Sequence, residues 1–521
     1  MNQKVLIGRS RKGRMAAALS VVVLVSLAIA GCSKDATEEQ AVDTTVAAQA
    51  TSIVIAIADE PSTLDPQATE DGNERAVTDN IYETLLRRDS ATNELVPWLA
   101  SEMPTMVSDT KWQFKLREGV TFSNGDPFNA EAAAFSINRV MNKEYNSGQI
   151  DFYGGIVDAV AIDALTVEVN LSAADPVFPA RMYRLKMLDP KTTDASIIEK
   201  AVGTGPYMLG AWNRGQDITL TVNPTYWGVK PVITDVTIKF IPEANTRAAG
   251  LQSGEIQLAT LLPPEQAKDA PQVITRDGIE FPVYRFKNYE GVLKDPRIRQ
   301  ALNYAVDKEA LANDLFSGYA SVAQCQPLTP SHFGFNADLK PYPYDPEKAK
   351  ALLEEAGYKG EEVSLLGATG RWLKDAEMTQ AVIGYLTAVG VNIKADIRPF
   401  SSYIGEFVQN RQSGKPQANI GFVSASNELF DASKIETYYS GTGGLASYVN
   451  ADVDNELLAA RSATDSATRL EHFNKALEIG CTADPVFIFT VVLQDIYGAS
   501  ANLSWTPRAD GMIYISDMVL N

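Results

Sequence analysis

The chain has 521 residues, with 65 acidic against 46 basic side chains and a formal net charge of −19. That surplus excludes a role built on phosphate backbones, because nucleic-acid binders need a basic face. Hydrophobic residues make up 45% and charged residues 21%, the balance of an ordinary globular body, and the length leaves room for roughly three domains.

Lys4, Arg9, Arg11, Lys12 and Arg14 precede an apolar run over residues 15–30 that is broken only by Ser20 and Ser26. A basic start followed by a short apolar stretch is an export signal, and the run is too short for the roughly 20 residues that cross a bilayer. It closes on Ile29-Ala30-Gly31-Cys32, which resembles the lipobox of bacterial lipoproteins. The resemblance implies cleavage of a signal peptide over 1–31 and diacylation of Cys32. A signal peptide without lipid and a core helix with a chance cysteine are the alternatives. Loss of residues 1–31 removes five cations and no anion, leaving −24 over 490 residues. No second long apolar run follows, so the chain is expected to be soluble apart from its anchor.

Residues 32–52 are rich in Ala, Thr and acids and bury too little to offset their ordering entropy, so they read as a flexible tether. The body begins with a strand at 53–58, closed by the turn signal Asp59-Glu60-Pro61. Residues 80–87 have helical spacing, whereas 111–116 (KWQFKL) alternate as a half-buried strand does. Asn124-Gly125 makes a turn, 129–142 form a helix with an Ala and Phe face, and 166–171, 219–222 and 234–241 continue the β content. Beyond about 295 the helix signals strengthen. Asp295-Pro296 and Asp345-Pro346 open helices, Asp307 caps another, and Gly357 ends the second. A helix over 375–388 leads into a strand at 391–397, so this segment reads as a separate lobe.

Little in the chain supports catalysis or metal binding. The only histidines, His332 and His472, lack partners at ligand spacing, and His472 reads as a surface residue. There is no nucleophile elbow, zinc-protease motif or phosphate loop. Gly203-Thr204-Gly205 and Gly441-Thr442-Gly443-Gly444 read as turns, and Glu354 and Glu355 as a solvated face. No enzyme activity, metal or cofactor is therefore expected. With Cys32 lipidated, Cys325 and Cys481 remain as a pair in an oxidising compartment. They are expected to form a disulfide, two separate buried thiols being the alternative.

Residues 116–130 (LREGVTFSNGDPFNA) resemble the signature of the family 5 extracellular solute-binding proteins, the peptide, nickel and opine binders of bacterial ABC importers. Further landmarks follow in order: 62–66 (STLDP), 203–207 (GTGPY), 223–228 (NPTYWG), 295–307, and 344–349 (YDPEKA) through Gly357-Tyr358. The resemblance implies an α/β, two-lobed periplasmic-binding fold of class II, with mixed sheets, an enlarged first lobe and a hinge. It places the core of lobe I at 50–84, 204–288 and 501–521, an inserted subdomain at 85–203, and lobe II at 289–500. The chain would then cross between lobes near Asn288 and Ser500, and ligand would bias the hinge toward closure.

In dipeptide binders of the family, an arginine before the helix that matches 375–388 holds the ligand carboxylate, and an aspartate in a later loop holds its amine. The first position matches Arg371 in 367–377 (GATGRWLKDAE). The second falls in 421–427 (GFVSASN), where Ala425 or Ser426 replaces the aspartate. A guanidinium offers a two-pronged fork to a carboxylate. The implied ligand carries a carboxylate without an obligatory α-amine, its body stacking near Trp372 and Phe422, with Ser62 and Ser424 also at the site. Glu428 or Asp431 taking the amine-binding role is one alternative, and a surface Arg371 paired with Asp375 is another. Pocket size rests on the loops 324–337 and 424–444.

The expected function is thus a lipid-anchored, monomeric receptor that hands a peptide or organic carboxylate to ABC permease subunits and their ATPases. A receptor or chaperone without transport, and a carrier of a chelated metal, are the competing readings. The lipid would face the periplasm or the cell exterior.

Overall fold

The computed structural model describes residues 51–521 apart from 69–71, 151, 193–196, 198–199, 405–417, 442–446 and 464. The expected signal peptide, Cys32 and the tether up to residue 50 lie outside the described residues, as do Thr442, Gly443 and Gly444.

The first strand, Ser52–Ile57, lies in the interior of a sheet. It pairs in parallel with Asp235–Phe240 on one side and Leu258–Ala259 on the other. Ile53, Ile55 and Ile57 enter one core and Ala56 another, so beyond Ser52 the strand is apolar rather than alternating. Asp217–Val222 and Tyr207–Asn213 extend the sheet beyond Asp235–Phe240, and Val491–Ala499 and Gln272–Asp277 extend it in the other direction.

Inserted in this chain path is an antiparallel sheet of Thr105–Ser108, Lys111–Lys115, Thr166–Leu171 and Ile156–Asp163, in that order. Trp112, Phe114, Val167 and Val169 share a core with Ala133 and Ile137 of the helix Ala130–Val140. Lys111 meets Glu168 at 2.7 Å at the exposed side. Asn129 starts the helix by accepting a hydrogen bond from the Ala132 N–H at 3.0 Å, a standard N-cap.

Residues 80–87 are not one helix. The helix Gly72–Ile81 ends there, and Leu86–Arg88 is a strand paired with Leu95–Pro97. Ile81 belongs to the core beneath the first sheet, Leu85 and Leu86 to that of the insertion, so two cores divide what reads as one apolar period. The Ile81 carbonyl accepts from the Gly205 N–H at 2.9 Å. A Cβ at Gly203 or Gly205 would come within 2.0 or 2.6 Å of that oxygen, so these glycines permit a close backbone passage against a helix end.

The second sheet runs Ile393–Pro399, Val363–Thr369, Ile420–Ser426, Glu280–Phe286 and Phe487–Phe489. Pro296–Ala305, Pro346–Glu355, Asp375–Ala388, Ala451–Ser462 and Ser466–Glu478 are helices whose apolar faces join its core. Asp295, Asp307 and Asp345 each accept a backbone N–H at 2.9 Å at a helix start, and Gly357 follows the second of the proline-opened helices with φ +75°. Cys325 and Cys481 are joined in a disulfide with Cα atoms 5.5 Å apart, both buried in this core.

Strand pairing moves the crossings between the sheets away from Asn288 and Ser500. Gln272–Asp277 lies in the first sheet and Glu280–Phe286 in the second, while Phe487–Phe489 lies in the second and Val491–Ala499 in the first. The chain therefore changes sheets at Gly278-Ile279 and at Thr490, and between them Ala320–Val322 reaches back to pair with Val491–Leu493 at the start of the first sheet's strand. The Gly278 N–H donates to the Leu493 carbonyl at 2.8 Å, and Thr490 Oγ1 donates to the Pro282 carbonyl. The two crossings thus run side by side, the arrangement a hinge requires.

Candidate ligand-binding cleft

A cleft of about 1330 Å³ opens between the insertion and the second sheet's loops, with Glu280 at the crossing in its wall. Seven of its lining side chains are Lys or Arg and four are Asp or Glu, a positive surplus in a chain of net charge −19. Most of these cations are committed. Arg181 meets Asp175 at 2.8 Å and Arg461 meets Glu436 at 2.9 Å, while Arg469 holds Asp431 through two nitrogens at 2.9 and 3.3 Å. Asp431 is therefore paired within the protein, and it does not line the cleft.

Arg371 differs from these. It is exposed in the cleft wall and makes no ion pair with a carboxylate among the described residues, its guanidinium lying 5.6 and 6.0 Å from the ring centres of Trp372 and Phe400. Asp375 does not take the guanidinium. Its carboxylate accepts the backbone N–H groups of Gly370, Arg371 and Trp372 at 3.2, 3.0 and 3.0 Å. The first turn before the helix Asp375–Ala388 is thereby stiffened, and the arginine side chain is left for the cleft.

The strand Ile420–Ser426 runs from the core outward to the cleft. Phe422, Ser424 and Ser426 share one face by the two-residue period, but at different depths. Phe422 is fully buried between Tyr284 and Trp372, with ring centres 5.3 Å apart in both pairs, and its ring does not line the cleft. Trp372 is half-buried and outside the cleft lining. Ser424 is buried and lies 3.5 Å from Glu280 Oε2. Ser426 lines the cleft. Ala425 points the other way into the second core. Ser62, also expected at the site, is exposed outside the lining and donates its hydroxyl to Glu74 Oε1 at 2.5 Å.

Two carboxylates face the cleft from this region. Burial raises the Glu280 carboxyl above its usual range, with Arg371 pulling the other way and Asp495 and Glu428 adding to the rise. For Glu428 burial is the largest influence and also raises, yet Lys434 at 3.8 Å and the Ser426 hydroxyl at 2.5 Å outweigh it and hold the carboxyl below its usual range. Glu428 is thus an ionised carboxylate two residues beyond Ser426.

No group of His, Cys, Asp and Glu suited to a metal occurs among the described residues. His332 is buried, its Nδ1 accepting from the Thr329 N–H at 3.1 Å and its Nε2 facing the Asn427 carbonyl at 3.2 Å. Burial pushes it down to about 4. His472 is half-buried and paired with Glu456 at 2.6 Å. Sequence reasoning missed Arg75, Arg181, Arg184 and Lys434 in the cleft wall, because no local spacing joins residues so far apart in the chain.

The architecture and cleft define a two-lobed periplasmic binding protein, and known structures share this fold. HbpA2 from Haemophilus parasuis superposes with a TM-score of 0.80 at 21% identity, covering 90% of this chain and 100% of that one. DppA from Helicobacter pylori, in complex with the peptide STSA, gives 0.72 at 23% identity over 90% and 98%. The glutathione-binding protein GsiB of Pectobacterium atrosepticum is 28% identical over 455 residues, which cover 84% of this chain and 88% of that relative. Residues 94–444 match the model of the bacterial extracellular solute-binding proteins, family 5. The chain belongs to that family. It is a solute-binding protein of an ABC importer and not an enzyme.

Proposed function

We propose that this protein is a lipid-anchored receptor that captures a short anionic peptide, or a peptide-like carboxylate, and delivers it as a monomer to an ABC permease. The observation that carries the ligand class is the cationic surplus of the cleft, with Arg371 making no ion pair among the described residues although its charge is felt at Glu280. Enclosing charges in a drying cleft is favourable only when each meets a partner. Arg371 supplies the fork for a carboxylate, and Glu428 supplies a partner for an ammonium. That second partner revises the expectation of a ligand lacking an amine, since Glu428 stands in for the aspartate absent at Ala425 and Ser426. The glutathione-binding relative and the peptide-bound neighbour support the peptide class. Calorimetry with reduced glutathione and its diethyl ester tests it: the free acid is expected to bind at least tenfold more tightly. Equal affinity for acid and ester refutes the charge reading.

The lipid on Cys32 and the tether complete this reading. A flexible arm of about 20 residues has a root-mean-square reach of roughly 25 Å, which keeps the receptor at high effective concentration near its permease. Cells fed radiolabelled palmitate are expected to label the parent chain and not the Cys32→Ser variant. An unlabelled parent removes the anchor from the proposal.

A further inference from the structure

Both loops of the second lobe that present Arg371 and Glu428 to the cleft are also bonded across to the first lobe. Beside Arg371, Lys374 reaches Glu265 of the helix Pro264–Ala267 with Nζ···Oε1 at 2.5 Å, and donates to the Leu315 carbonyl at 2.9 Å. Lys374 has φ +52°, a left-handed conformation uncommon for a residue other than glycine. It directly precedes Asp375, whose carboxylate fixes the N–H groups of Gly370, Arg371 and Trp372. Arg371 and Lys374 therefore belong to one stiff unit, the first aimed at the cleft and the second at the opposite lobe.

The loop of Glu428 repeats the pattern. The carbonyls of Glu428 and Leu429 accept from the Tyr183 hydroxyl at 2.7 Å and from Arg88 Nη2 at 2.6 Å, both in the insertion. Phe430, with φ +53°, places its ring in the insertion's core, 4.5 Å from the Arg88 guanidinium carbon. Backbone carbonyls are the acceptors here, so these contacts read where the loop is and not which side chains it carries.

We propose that Lys374 with Glu265, and Tyr183 with Arg88, are two closure latches: positioning residues that hold Arg371 and Glu428 in their ligand-facing places once the lobes meet. The inference rests on the reading of the cleft as the ligand site. It couples each charged ligand contact to its own bond across the lobes, so that a ligand satisfying only Arg371 or only Glu428 stabilises only one latch.

The Lys374–Glu265 pair is 21% and 50% exposed at its two side chains, and pairs of that kind contribute about two- to fivefold in an equilibrium. One neutral hydrogen bond contributes about two- to tenfold. Reduced glutathione is the probe, measured with full-length protein. Glu265→Gln is expected to weaken its binding by about two- to fivefold and Tyr183→Phe by about two- to tenfold, both through faster release, and together by the product of the two. The melting temperature without glutathione is expected to stay unchanged. Exchanging the charges with K374E and E265K together is expected to recover part of the affinity that K374E alone loses, since the swap restores the pair with residue 265 though not the bond to the Leu315 carbonyl; a packing defect would allow no recovery. Small-angle scattering of the same proteins is expected to show the E265Q/Y183F double variant more expanded than the parent. Unchanged affinity and an unchanged radius of gyration in the double variant overturn the latches. If the parent takes no glutathione, the ligand reading fails while scattering alone judges the latches: a larger radius in the double variant supports them and an equal one overturns them.

Discussion

Replacing Cys325 and Cys481 together by alanine is expected to lower the unfolding free energy of the second lobe by about 3–5 kcal/mol. The bridge closes a loop spanning a sequence separation of 156 residues, and cross-linking so long a loop removes a large part of the denatured chain's freedom. It also ties Cys325 to the turn that follows the helix Ser466–Glu478. Just beyond, Asp484 forms an ion pair with the buried Arg299 and accepts hydrogen bonds from Tyr448 and Asn450 at 2.9 and 2.6 Å. Losing the covalent tie therefore loosens a buried charge as well. Alanine is the suitable substitute because both cysteines are buried among apolar side chains and a serine hydroxyl there would go unpaired. Urea unfolding of parent and double variant checks the effect. A loss below about 1 kcal/mol means that the bridge adds little constraint beyond what the unfolded chain already carries. Neither cysteine lines the cleft, so ligand affinity well below the melting temperature is expected to stay the same.

What the sequence reveals of this fold follows the reach of each signal. Caps and turns act over three or four residues, so Asn129, Asp295, Asp307 and Asp345 mark helix starts that the structure retains. Alternation marks Trp112 and Phe114 as an inward face in the same way. Neither signal names a partner. Where the helix ends at Ile81, its terminal carbonyl is satisfied by the N–H of Gly205, more than a hundred residues away. The crossings shift to Gly278-Ile279 and Thr490 because the identity of a strand's neighbour is written in another segment. At the site, the two-residue period puts Phe422 on the same strand face as Ser426. It does not say that Trp372 and Tyr284 close over the inner end of that face. Arg371 is marked by the resemblance to the family's dipeptide binders, which concerns one loop preceding one helix, whereas Arg75, Arg181 and Arg184 join it in the cleft wall only through the fold.

Substituting Arg371 by alanine is expected to weaken binding of a carboxylate ligand by about ten- to a hundredfold, the range of hydrogen bonds to a charged group, about 1.5–3 kcal/mol. Its backbone is held by Asp375 through main-chain N–H groups that survive the substitution, and its side chain supports no described ion pair, so the melting temperature is expected to remain that of the parent. Arg371→Lys keeps the charge and loses the planar fork, and an intermediate affinity is expected if two-pronged contact is the mechanism. Glu428→Gln makes the complementary test: it is expected to weaken peptides with a free ammonium and leave their N-acetylated forms unaffected. Each variant thus reports on one end of the ligand, with the other end as its internal control. If Arg371→Ala leaves the affinity of every carboxylate ligand unchanged, the carboxylate is held from the opposite wall. The cations of the insertion, Arg181 and Arg184 with Arg75 beside them, then become the group to which the ligand's charge must be assigned.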